Sequence, residues 1–183
     1  MRRVASACLC VLLLAALAEG AQQRKRDPLN AVEVDQLREV AQDPVERLKL
    51  WVKFVRARMA ALEQARADSK PAGERGKLMH DLLEDLGVMV DEMDDNVANF
   101  HKQRADIRKP LGLIIQMDDE FLARLKALKE AEESDRALAR SAAEYKFVLE
   151  DTIESVAASA ESSRETLEEQ NKRAAEAKQK KTK

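Results

Sequence analysis

The sequence predicts an all-α fold, an antiparallel bundle of four to five helices with a long C-terminal helix and a basic, disordered tail. Three observations predict it. The composition is poor in strand and turn formers, with 3% aromatics, 5 glycines and 4 prolines in 183 residues, and it is rich in Ala, Leu, Glu, Lys and Arg. Apolar residues recur in alternating steps of three and four along most of the chain, the signature of amphipathic helices. Cap, proline and glycine signals separate these stripes. A content of 45% hydrophobic and 36% charged residues suits a soluble helical protein with one core.

Met1-Arg2-Arg3 is a positive lead-in, Val4 to Ala18 an apolar run, and Ala18-Glu19-Gly20 before Ala21 places small residues at a signal peptidase site. The apolar run has about 15 residues, against roughly 20 needed to span a bilayer. Residues 1–20 are therefore expected to be a cleaved export signal, cut between Gly20 and Ala21, rather than an anchor. Cys8 and Cys10, the only cysteines, fall inside it, so the mature chain has no disulfide, thiol nucleophile or thiolate metal site. Cys8 sits too early in the apolar run to serve as a lipid-attachment site. The formal charge is −2, and removing residues 1–20 leaves 30 basic against 33 acidic residues, or −3. No global field steers such a chain to nucleic acid.

Residues 21–29 read as a flexible lead, polar from Gln22 to Asp27. Asn30 with Glu33 is a capping-box pattern opening a short helix through Val32, Val34, Leu37 and Val40. Asp43, Pro44 and Glu46 start a long helix, running to about Ala67, with a cap, a proline at the first helical position and a carboxylate at the third. Its stripe of Leu48, Val52, Val55, Met59 and Leu62 is flanked by Trp51 and Phe54. That width is explained by two packed neighbours or by an exposed partner-binding patch, and packing is the favoured explanation, since buried aromatics dominate core energetics. Asp68 to Gly76 reads as a loop or frayed helix start.

The central helix is expected from about Glu74 or Arg75 to Ala105, with Met79, Leu82, Leu86, Met89, Met93, Val97 and Phe100 on one face. Gly87 interrupts it, at a cost of about 1 kcal/mol relative to Ala, and reads either as a point of close approach for a neighbour or as a tolerated accident. Asp106 to Pro110 is a boundary, because proline disfavours helical geometry in the residue before it. Leu111, Ile114, Phe121, Leu125 and Leu128 form the next stripe. Glu132 to Asp135 reads as a connection, with Ser134 or Asp135 capping the last helix. In that helix Leu138, Ala142, Tyr145, Leu149, Thr152, Val156, Ser163 and Leu167 continue the pattern, but its residues become small and polar after Val156. The second half is expected to project or pair weakly, and Leu149, Val156 and Leu167 to form a coiled-coil seam for self-association. Residues 30–170 thus make the bundle domain, and the Lys-rich residues 171–183 a disordered tail.

Tests for chemistry return little. His80, Glu84 and Asp91 are weak metal candidates, since neither His80 nor His101 follows a glutamate by three as bundle di-iron sites require. The runs Glu84-Asp85, Asp91-Glu92, Asp94-Asp95 and Asp118-Asp119-Glu120 read as solvated acidic faces. Gly73-Glu74-Arg75-Gly76-Lys77 lacks the spacing and the strand of a phosphate loop. Ser141, Ser155, Ser159, Ser162 and Ser163 have no histidine near them in sequence and no nucleophile elbow. Met59, Met79, Met89, Met93 and Met117 lie on helices, where core filling explains them better than a client-binding surface or soft copper ligation. No catalytic constellation and no cofactor site is expected. Together DPLNAVEVDQLREVAQDP, HDLLEDL, DEMDDN and DIRKPL resemble segments of uncharacterised exported helical proteins of bacteria, over most of the mature chain. The resemblance carries no activity and no site residues. Small periplasmic helical chaperones are similar in size, but their Leu-Thr-x-x-Gln signature is absent.

The sequence therefore leads to a periplasmic or secreted, non-enzymatic bundle that binds protein partners in the cell envelope, through the Trp51/Phe54 face or the last helix. The alternatives are a holdase-like stress chaperone and a carboxylate and histidine metal-binding module. The Lys-rich tail adds a weak contact with anionic surfaces, without specific nucleic-acid recognition.

Overall fold

A computed structural model describes residues 27–134 and 136–181. The expected export signal with its expected cleavage point at Gly20 and Ala21, residues 21–26 and Asp135 lie outside the described residues, as does the side chain of Leu138. The described residues form six helices: α1 (Ala31–Glu39), α2 (Pro44–Ala67), α3 (Ala72–Lys102), α4 (Arg108–Ser134), α5 (Arg136–Ala142) and α6 (Lys146–Lys181).

Local chemistry sets the first two starts as the sequence predicts. Asn30 Oδ1 accepts from the Glu33 amide at 3.0 Å while Glu33 Oε2 accepts from the Asn30 amide at 2.9 Å, a complete capping box. Asp43 Oδ1 accepts from the Val45 and Glu46 amides at 3.0 Å each, and Pro44 occupies the first turn, where its missing N–H costs nothing. The third start differs. Gly73 and Gly76 lie inside α3 rather than in a loop. At Gly76 a Cβ would stand 2.6 Å from the Ser141 carbonyl oxygen and 3.0 Å from the Glu144 side chain, so the α5–α6 junction sits directly on the α3 backbone. The close approach expected at Gly87 is ordinary contact, 3.6 Å to Thr152 Oγ1.

α3 ends in a Schellman turn. The Ala105 amide donates to the Phe100 carbonyl and the Arg104 amide to the His101 carbonyl, each at 3.0 Å, with Arg104 at φ 63° where glycine is usual. α6 holds this turn from outside. Gln170 Oε1 accepts from the Ile107 amide at 3.1 Å, and Gln170 Nε2 donates to the Ala105 carbonyl at 3.1 Å. One buried amide thus satisfies a donor and an acceptor that the turn leaves over.

Cross-helix pairs give the directions. Arg47 near the start of α2 reaches Asn96 near the end of α3, at 2.7 Å, so these two run antiparallel. Arg56 with Glu120 and Glu63 with Arg124 advance together, so α2 and α4 run parallel. Thr152 with Leu83, Ser159 with Asp94 and Glu169 with His101 make α6 parallel to α3. Glu150 with Lys129, Ser159 with Asp118 and Gln170 with Ile107 make it antiparallel to α4. α2, α3, α6 and α4 pack in that cyclic order; α5 lies against α3 and α4, and α1 against α2. The core between them holds Leu48, Trp51, Val55, Met59, Leu83, Leu86, Met89, Met93, Met117, Phe121, Leu149 and Val156. Each such side chain contributes roughly 1.5–3 kcal/mol by leaving water.

α6 corrects two expectations. It stays packed as far as Gln170 instead of leaving the other helices after Val156, because Ser159, Ala160 and Ser163 are small enough to let α3 and α4 close on it. It also remains helical to Lys181, beyond the expected disorder boundary at Asn171. Residues 171–181, NKRAAEAKQKK, are mostly strong helix formers, and propagation from a packed helix avoids the cost of a fresh nucleus.

Candidate functional site

The two faces expected to meet a partner are occupied. Trp51 and Phe54 are 2% and 3% exposed, because α2 has α1, α3 and α4 around it and needs a wide apolar face to fill all three contacts. Leu149 and Val156 are wholly buried and Leu167 is half-buried, so the apolar stripe of α6 faces α3 and α4. Met59, Met79, Met89, Met93 and Met117 are buried as well. The exposed large apolar side chains, Val32, Leu113 and Phe147, stand on three different helices. His80, Glu84 and Asp91 do not assemble. His80 Nδ1 lies 3.7 Å from Asp81 Oδ1, and among the described residues no three histidine or carboxylate groups converge as metal ligands would. Ser141 and Ser159 are buried, Ser141 near Arg75 and Ser159 between two carboxylates.

Those carboxylates form the chemically distinctive part of the interior. Asp94 from α3, Asp118 from α4 and Ser159 from α6 meet in one layer: Ser159 Oγ is 2.8 Å from Asp94 Oδ1 and 2.9 Å from Asp118 Oδ2. Asp118 has no exposed surface, and its Oδ1 and the hydroxyl of buried Ser163 have no hydrogen-bond partner. Burial pushes the Asp118 carboxyl up to about 7 against the opposing Ser159 hydrogen bond, helped by the charges of Asp94 and Asp119. Burial likewise pushes Asp94 up to about 6, helped by Asp91 and Asp95. Sequence reasoning placed both residues in solvated acidic runs. The stripe does not single out Asp118: Met117 already divides the seven-residue gap between Ile114 and Phe121 into three and four, and position 118, at four and three, shares the same inward face. Ser159 fills the same kind of gap between Val156 and Ser163.

The second distinctive region is the far end of α6. Past Gln170 the helix is exposed through residue 180, apart from half-buried Ala174. Residues 171–183 carry 6 basic residues and 1 acidic, a charge of +5, whereas residues 27–170 carry 21 basic against 32 acidic, or −11. Arg173, paired with Glu169, lies with Arg104 and Arg108 around a recess beside the α3–α4 turn. Arg108 is held by Asp106, whose carboxyl it keeps down at about 2. His101 Nε2 lies 3.0 Å from Glu169 Oε2 at the edge of this region. The charge is therefore segregated, acidic over residues 27–170 and basic over residues 171–183. Comparison with known protein families, curated proteins and solved structures gives no match.

Proposed function

We propose that this is an exported, non-enzymatic protein of the cell envelope in which residues 30–170 form one helical bundle domain and the basic end of α6 binds an acidic protein partner. The observation that carries the reading is the charge segregation, −11 in the body against +5 in the last 13 residues. Its placement on a helix continuous with the core matters. Residues 171–181 extend about 16 Å at 1.5 Å per residue, and a helix presents those charges already ordered, so docking loses less conformational freedom than it would from a flexible tail. Such a surface governs encounter rate and partner choice more than affinity. Binding should weaken with salt, because exposed charges are screened over about 8 Å at physiological ionic strength.

Crosslinking in intact cells tests this. A photoreactive amino acid at exposed Ala175 is expected to capture a small set of acidic envelope proteins, whereas the same group at exposed Ala60 on α2 captures none of them. Capture of lipid or of an anionic polymer at Ala175 would replace the protein partner with that surface. Equal capture of many unrelated proteins at both positions would favour the holdase reading.

A further inference from the structure

The layer of Asp94, Ser159 and Asp118 has more acceptors than hydrogens. Ser159 has one hydroxyl hydrogen, yet its Oγ stands at hydrogen-bond distance from both carboxylates, 2.8 Å to Asp94 and 2.9 Å to Asp118. With both carboxylates ionised, only one of these contacts contains a hydrogen, and the other sets two lone-pair oxygens against each other inside the protein. One added proton resolves the conflict. The wholly buried Asp118 is the place for it, since Asp94 retains some contact with water and Asp118 has none. Protonated Oδ2 of Asp118 then donates to Ser159 Oγ, and the Ser159 hydroxyl donates to ionised Asp94 Oδ1.

The surroundings supply no cation to take the proton's place. Asp91 and Asp95 face the layer from α3 and Asp119 from α4, all of them acidic. Arg164 approaches from α6, but its guanidinium is held by Asp119. The charged groups that act on Asp94 and Asp118 come from α3, α4 and α6, and among the described residues neither carboxylate forms an ion pair.

We propose that the α3–α4–α6 seam is closed by a single proton shared through Ser159, and that its loss as pH rises makes this seam the pH-sensitive latch of the fold. The sign follows from linkage. A carboxyl whose folded pKa is raised binds its proton more tightly in the folded chain, so its stabilisation is complete at low pH and is lost as pH rises through the folded pKa. Neutral and mildly alkaline conditions open the seam, and mild acid tightens it. Closing under acid is the opposite of what an acid-opened holdase needs.

The test is urea unfolding of the mature chain, residues 21–183, between about pH 5 and about pH 8, with carbon NMR of the Asp118 carboxyl alongside. Wild type is expected to lose at least about 100-fold in its folding equilibrium constant over that range, the larger part as the proton leaves Asp118 near 7 and a smaller part at the acid end from Asp94 near 6. Asp118→Asn, which keeps the shape and a hydrogen for Ser159, is expected to fold at both pH values with that dependence largely removed. Asp119→Asn, one residue away but at the surface, should retain it. A flat wild-type profile, or an Asp118 carboxyl already ionised at about pH 5, overturns the proposal. So does restoration of wild-type stability at about pH 8 by millimolar calcium with no effect on Asp118→Asn, which would make the layer a cation site. If Asp118→Asn does not fold, the NMR titration of wild type decides alone.

Discussion

The same substitution at two places on α3 is expected to have opposite effects. Gly76→Ala puts a methyl group 2.6 Å from the Ser141 carbonyl oxygen, well inside contact distance, and about 3 Å from two carbons of Glu144. The Glu144 side chain can move, but the carbonyl cannot move cheaply, because it accepts the Glu144 amide at 3.2 Å in the turn that joins α5 to α6. Overpacking of this kind costs about 1–3 kcal/mol. The backbone carbonyl at 2.6 Å puts Gly76→Ala in the upper part of that range, about 2–3 kcal/mol, and alanine's better helix propensity returns about 1 kcal/mol, so the net expectation is a loss of about 1–2 kcal/mol. Gly87→Ala meets only Thr152 Oγ1 at 3.6 Å, an ordinary contact, and should keep most of the propensity gain as a stabilisation of about 1 kcal/mol. Urea unfolding of residues 21–183, followed by circular dichroism with all slopes compared, measures both. Stabilisation by Gly76→Ala would refute the packing of α5 and α6 on the first turns of α3. A loss of more than about 1 kcal/mol from Gly87→Ala would refute the spacing of α3 and α6 one turn below Leu83.

Three further perturbations bear on single elements. Arg58→Ala leaves Glu33 without the partner that, with the Asn30 amide, outweighs burial and holds its carboxyl below the usual range; breaking this largely buried pair should cost about 3 kcal/mol locally, read as loss of hydrogen-exchange protection in α1 while α3 stays protected. The sign for Glu33 is opposite to that of Asp118, since its contribution is present at neutral pH and disappears as pH falls through its lowered pKa, so α1 should fray first in acid. Arg104→Gly relieves a left-handed residue at φ 63° and should raise stability by about 1 kcal/mol, seen as an increase of about 2–4 °C in melting temperature. Gln170→Ala removes both hydrogen bonds to the α3–α4 turn and should cost about 2 kcal/mol, with faster exchange of the Ile107 amide; unchanged exchange there would refute the clamp.

What the sequence disclosed was local. The capping box at Asn30 and Glu33 and the cap at Asp43 are short-range hydrogen-bond patterns, and they stand where they were read. The stripes of Met79 to Phe100 and Leu111 to Leu128 repeat at helical period and are buried, Leu82 partly, with Leu83 and Val90 widening the first of them. The misreadings came where a distant element decided the outcome. Gly76 stands at the edge of the expected helix, but nothing near it in sequence announces the α5–α6 junction that excludes a side chain there. The width at Trp51 and Phe54 is compatible in sequence with a neighbour or with solvent, and only the third packed helix resolves it. Asp94 and Asp118 are hidden by acidic neighbours that are exposed, and the stripe between Ile114 and Phe121 is already completed by Met117, so its period does not require position 118 to face inward. Past Asn171 a lysine-rich composition suggests disorder, whereas the helix propensity of the same residues carries α6 on to Lys181.

The central claim is that the basic end of α6 is the binding element, and reversing its charge tests that most directly. Lys172→Glu with Lys180→Glu takes residues 171–183 from 6 basic and 1 acidic to 4 basic and 3 acidic, or from +5 to +1, on side chains that are exposed. Affinity capture from cell envelopes, with helicity checked by circular dichroism, is expected to show the partners of the wild-type protein reduced by about tenfold for each 1.4 kcal/mol of lost attraction while the fold is unchanged. Capture of the same partners in the same amounts by the reversed chain would contradict the claim and move the search for a binding surface to the acidic body.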